Sequence, residues 1–118
     1  MGLNLRTHKG KQILYVDYGA LNFENMINLL YDTCHVLKKT NEKMLLLTNF
    51  ENATVSPPFI KEVRRLGKKI ISDKVTKTAF LGIYGTREKL VKDYILFTGE
   101  ENVKTLETEQ KAIEWLVS

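Results

Sequence analysis

The chain is predicted to be an α/β domain: a mainly parallel sheet of about five strands, with four helices and an opening β-hairpin. Three observations point there. Its 118 residues suffice for one domain and leave no room for a second, so positions 1–118 are expected to form a single unit. Short apolar runs alternate with stripes at helical spacing, and alternating strands and helices imply right-handed crossovers onto a parallel sheet. The run "KMLLLTNF" is nearly continuously apolar, as in a strand covered on both faces.

The elements follow in order. "LNLRTHKGKQILYVDY" alternates through Leu3, Leu5 and Thr7, turns at Lys9-Gly10 and resumes as an apolar run from Ile13 to Tyr18, the pattern of a hairpin with glycine where positive φ is needed. "NFENMINLLYDTCHVLKKT" places Phe23, Met26, Ile27, Leu30, Cys34 and Leu37 on one helical stripe, with Asn22 as N-cap and lysines in the last turn. After the third strand, "PPFIKEVRRLGKKIISD" repeats Phe59, Val63, Leu66 and Ile70 at helical spacing, with Ile60 and Ile71 widening the stripe. "KTAFLGIYG" reads as a buried strand and "TREKLVKDYILFTG" as a helix opened by Thr86 and closed by Gly99. "VKTLE" reads as a short strand and "TEQKAIEWLV" as a last helix capped by Thr108.

Composition narrows the function classes. A hydrophobic fraction of 43% and a charged fraction of 27% are those of a globular protein with a packed core. No apolar run approaches the ~18–20 residues of a transmembrane segment, and the N-terminus lacks an apolar signal core, so the expected location is cytoplasmic. The single cysteine, Cys34, allows no internal disulfide. With His8 and His35 it makes too small a set for a metal site, and no metal or other cofactor is expected. The net charge of +4 is unevenly placed: Lys61, Arg64, Arg65, Lys68, Lys69, Lys74 and Lys77 fall within 17 residues. A solvated helix face is the simpler reading of this run. An acidic partner, an anionic surface or a small anionic ligand is the functional one, with Lys61, Arg64, Arg65 and Lys68 as its basic surface. Nucleic acid is disfavoured, because no RNA-binding signature surrounds the aromatic residues.

In α/β folds, ligands and partners meet the loops beyond the strand C-termini. That rule collects Asp17, Tyr18, Thr48, Asn49, Tyr84, Gly85 and Thr86 on one edge as candidate binding residues. Ser56 joins them at the start of the following helix. "GTREK" sets a glycine, a hydroxyl and a cation at a helix start, where free N–H groups hold anions; a simple cap at Thr86 is the plainer account. No nucleophile stands with a base, and no paired carboxylates or helping histidine accompany Asp17 and Thr48, so no catalytic residues are assigned.

The segments "LLLTNF", "FLGIYG" and "TLETEQKAIEWL", with this element order, resemble the SpoIIAA-like family of small bacterial proteins and, more broadly, the STAS domain of anti-sigma factor antagonists. The resemblance covers nearly the whole chain. It implies a non-enzymatic regulatory module in the bacterial cytosol that binds another protein or itself as a homodimer. It also implies a switch serine in an Asp-x-Ser-Gly motif after the third strand. No such motif follows Thr48-Asn49-Phe50, and Ser56 and Thr54 are the hydroxyls left in that loop as candidate phosphorylation positions. Phosphate there would add about −1.5 to −2 charges at a helix start rich in Lys and Arg. Yet Ser56 before Pro57 also suits an N-cap, which makes the loop a turn first and a switch second. The second function carried forward is binding of a small anionic or amphipathic ligand, a lipid or a nucleotide, on an aromatic edge of Tyr18, Phe50 and Phe59.

Overall fold

The computed structural model describes residues 2–118. β1 (Leu3–His8) and β2 (Lys11–Asp17) form the hairpin. Its turn residues Lys9 and Gly10 both take positive φ, 50° and 77°, the two-residue turn whose twist matches that of the paired strands. The chain continues as α1 (Phe23–Lys39), β3 (Met44–Asn49), α2 (Pro57–Leu66), β4 (Val75–Leu81), α3 (Thr86–Thr98), β5 (Val103–Thr105) and α4 (Glu109–Val117). Beyond Leu66, α2 runs on through a π-helical turn, Gly67–Ile71, and a last turn at Ser72–Lys74.

The five strands lie in chain order, with β1 antiparallel at one edge and β2 to β5 parallel. Parallel neighbours added in one direction by crossovers of one hand place every crossover helix on the same face. Accordingly α1, α2 and α3 pack with Leu14, Val16, Leu46 and Phe80. The other face, carrying Ile13, Tyr15, Leu45, Leu47, Ala79 and Leu81, is covered by α4 through Ala112 and Leu116. The apolar run of β3 is thereby buried on both sides, as its composition requires. Lysines from the far ends of the strands hold α4 in place. Lys77 Nζ donates to Trp115 O (3.0 Å) and Ser118 O (3.2 Å), and Lys11 Nζ to Val117 O (3.2 Å), where the helix dipole favours cations.

Local chemistry explains most boundaries. Asn22 Oδ1 accepts from Asn25 N–H at 2.8 Å and Thr108 Oγ1 from Lys111 N–H at 3.2 Å, so these two expected N-caps form. Gly99 closes α3 with φ of 73°. Two details differ from expectation. Phe23 is 49% exposed, because at the first turn of α1 the core stripe has not yet reached the sheet; Leu29 and Thr33 are buried instead. In α2, Ile70 and Ile71 are both buried as the widened stripe expects, but they lie in a π turn that a regular helical period does not anticipate. The turn starts at Gly67, where an added Cβ would come within 2.6 Å of the Tyr94 ring.

Candidate functional site

The loops after β2, β3 and β4 form one tightly bonded platform. Asp17 and Asn49 face each other in register at the ends of β2 and β3. Both side chains make the same kind of local bond. Asp17 Oδ1 accepts from Gly19 N–H at 2.9 Å and Asn49 Oδ1 from Glu51 N–H at 2.8 Å, side chain standing in for backbone in a turn. The Asn49 amide also donates to Tyr15 Oη at 3.1 Å. Tyr18 N–H bonds Asn49 O (3.0 Å), Ala20 N–H bonds Asn52 O (3.0 Å) and Phe50 N–H bonds Leu81 O (2.9 Å), which joins the three loops to one another.

Two glycines and one arginine complete the platform. A Cβ on Gly19 would lie 2.7 Å from Glu51 O, and one on Gly82, where φ is 78°, would lie 2.4 Å from Glu51 N. The loop after β3 therefore runs between two positions that tolerate no side chain. Arg87 donates to Phe50 O and Gly82 O, both at 3.0 Å, and to Ala53 O. Its guanidinium serves backbone carbonyls from two loops and is occupied there. On the outer surface, the Tyr84 hydroxyl donates to the Glu51 carboxylate, which raises the phenol above its ordinary pKa.

The residues singled out from sequence are gathered at this edge but do not form one cluster. Strand alternation sends Thr48 and Asn49 to opposite faces. Thr48 is 6% exposed on the three-helix side, while Asn49 and Asp17 share the side of Tyr15 and α4. Tyr18, expected at an aromatic edge, is in the core together with Phe50 and Phe59: the three are 3%, 8% and 1% exposed. Tyr18 stacks on Phe50 at 5.1 Å and meets Phe59 edge-on at 5.2 Å. The aromatic column continues through Phe80 to Tyr94. Tyr84, Gly85 and Thr86 are exposed. Gly85, with φ of 56°, takes the N-cap position, and Thr86 is the first residue of α3 rather than its cap.

Ser56 stands at the N-cap of α2 with extended backbone, yet its hydroxyl makes no capping bond. Part of the reason lies in the next two residues. An N-cap oxygen normally accepts from the second or third helical N–H; Pro58 has none to give, which leaves Phe59 N–H as the one donor, and Ser56 does not accept from it. Ser56 Oγ is buried without a partner, whereas Thr54 is exposed.

The basic surface is only partly paired. Arg65 donates to Glu62 through Nε (2.8 Å) and Nη2 (3.0 Å), and Tyr31 Oη donates to the same carboxylate at 2.6 Å. These bonds lower the Glu62 carboxyl to about 2. Arg64 Nη2 lies 3.7 Å from Asp93. Among the described residues, Lys61, Lys68 and Lys69 have no carboxylate within ion-pair distance. Sequence reasoning missed Arg87, Glu51 and Tyr15 as parts of the platform. Arg87 was visible as the cation of "GTREK", but its bonds reach residues 34 and 37 positions away.

An apolar cleft of about 60 Å³ lies between α2 and α3, lined by Val55, Phe59, Ile83 and Val91 among others. No protein-family model matches the sequence, and neither does any curated protein. Two solved structures match the fold over almost their full lengths. One is an uncharacterized protein of the DUF3478 family with a SpoIIAA-like fold from Shewanella loihica PV-4, with TM-score 0.63 and 16% identity over 97% of this chain and 91% of that one. The other is an anti-sigma-factor antagonist (STAS) domain protein from Planctomyces limnophilus, with TM-score 0.63 and 13% identity over 98% of both chains. With the hairpin, the parallel order and the three-helix face on one side, the chain has the SpoIIAA-like, STAS fold.

Proposed function

We propose that the protein is a non-catalytic regulatory module that binds another protein, or a second copy of itself, through the strand-end platform and the adjoining first turn of α2. One observation carries this reading. The loops after β2, β3 and β4 are bonded into a single surface on which Thr54, Pro57, Pro58, Tyr84 and Thr86 are exposed, while the polar groups behind it are used internally. A surface fixed in this way loses little conformational freedom on binding and so favours a protein contact. The likeness in fold to an anti-sigma-factor antagonist domain protein agrees with a protein partner.

The small-ligand alternative finds less support at this edge. The apolar cleft of about 60 Å³ is far below the ~300–1,000 Å³ of small-molecule sites, and the larger groove between α2 and α3 is open rather than enclosing. No helix among the described residues is long and apolar enough to cross a membrane.

Native mass spectrometry on freshly purified full-length protein, followed by its denatured mass, separates the readings. A homodimer without added mass supports the module. A non-covalent small molecule released on denaturation would sink it in favour of the ligand reading. Should a dimer form, Tyr84→Ala with Thr54→Arg is expected to raise its dissociation constant about tenfold or more, and an unchanged constant would remove the platform from the interface.

A further inference from the structure

Beside the platform, and meeting it at Pro57, α2 and α3 flank an open groove of about 810 Å³. Its charged lining is entirely cationic: Lys61, Arg64, Arg65, Lys68 and Lys69, with no carboxylate. Its apolar lining includes Ile60, Leu90 and Phe97. Ile60 and Leu90 are half-buried while the lysines are exposed, so the apolar surface lies beneath a cationic rim. The Lys68 ammonium sits 5.1 Å from the centre of the Phe97 ring, which keeps cation and apolar surface together.

α3 is short of packing on this side. In the groove lining Leu90 is half-buried and Phe97 49% exposed, and Leu96, outside the lining, is 82% exposed. A helix that exposes this much apolar surface beside unpaired cations has the composition of a binding face.

We propose that this groove docks an acidic amphipathic helix of a partner protein. The inference rests on the reading of the chain as a protein-binding module and adds the chemistry of the partner. Side chains at i, i+3, i+4 and i+7 of such a helix reach the apolar lining between α2 and α3, and its carboxylates meet Lys61, Lys68 and Lys69. The ten residues of α2 span about 15 Å, the length of roughly three turns of a docked helix. Nucleic acid fits less well, because Phe97 is the one aromatic ring lining the groove and offers no series of rings for successive bases to stack on. An anionic membrane would meet the rim lysines but not the half-buried Ile60 and Leu90 between two helices.

The test uses full-length protein and a fluorescein-labelled peptide of about 18 residues, with Leu at helical spacing and Glu on the other face. A scrambled peptide of identical composition serves as control. Saturable binding is expected, at least tenfold tighter than for the scrambled peptide. Binding should fall at least tenfold in K61E/K68E/K69E and in Phe97→Ser, both checked for native circular dichroism. No saturable binding up to about 1 mM, or equal affinity for the two peptides, would overturn the proposal. Sedimentation with phosphatidylglycerol vesicles, lost in the lysine variant while the peptide fails to bind, would overturn it in favour of a membrane contact. Tyr84→Ala with Thr54→Arg should leave peptide affinity unchanged. A platform-dependent dimer that persists when the peptide fails sinks the groove alone, whereas peptide binding without any platform-dependent complex sinks the platform alone.

Discussion

The strand-end platform and the α2–α3 groove make opposite use of their polar residues. On the platform, Asp17, Asn49, Arg87 and Glu51 all have partners within the chain, and the backbone closes around them. In the groove, Lys61 and Lys69 have no carboxylate partner among the described residues, and Leu90 and Phe97 are left partly uncovered. Polar residues gathered beyond strand ends are therefore not, by themselves, free for a ligand. Here they hold three loops in a fixed arrangement, and the unsatisfied chemistry lies one helix away. Shape belongs to the first region and attraction to the second.

The contrast makes graded predictions. Gly82→Ala should have the largest effect on stability, about 2–3 kcal/mol lost in urea unfolding, because a side chain at positive φ would press on the backbone of Phe50 and Glu51. Arg87→Ala should cost about 1–3 kcal/mol by removing the side-chain donor to three backbone carbonyls, of which Phe50 O keeps the Ala53 N–H. The same unfolding measurement decides it, and a neutral result would mean that water replaces the guanidinium and that the platform is looser than its bonds indicate.

On the groove side the effects on stability should be small. Glu62 is held below its ordinary pKa by Arg65 and Tyr31, so its stabilising contribution is fully present above the ordinary carboxylate value near 4.5 and is lost as the pH falls towards about 2. Because the pair is solvent-exposed, the change should stay below about 1 kcal/mol. Stability measured from pH 5 to 2 should show this slope in the native chain and not in Glu62→Gln. Smallest of all, Lys61→Ala and Lys69→Ala should shift stability by no more than about 0.5 kcal/mol and can raise it by relieving repulsion between like charges. A large loss would mean that these lysines hold the fold and are not reserved for a partner.

The architecture was legible because each element announces its period. Lys9-Gly10 marks the hairpin, Asn22 and Thr108 mark helix starts, and the apolar run of β3 marks a strand buried on both faces. The site was less legible. The rule that collects strand-end residues finds the right edge of the molecule but not the direction of each side chain. It places Thr48 beside Asn49 although alternation sends them to opposite faces, and it exposes Tyr18, which the Phe50 and Phe59 rings enclose. The π turn is invisible to a pattern assumed to repeat every 3.6 positions, although that pattern did place Ile70 and Ile71 on the buried side. Arg87 could not be assigned from its neighbours, since its carbonyl partners are brought to it only by the folded sheet.

Native-state amide hydrogen exchange, resolved residue by residue on the full chain, tests the central contrast most directly. The amides of Tyr18 and Phe50, bonded to Asn49 O and Leu81 O, should exchange only through openings close to global unfolding. The last two turns of α3, around Leu96 and Phe97, should open at a free energy lower by about 2 kcal/mol or more. Protection of α3 equal to that of the sheet, with fast exchange at Tyr18 and Phe50, would contradict a fixed platform beside a receptive groove.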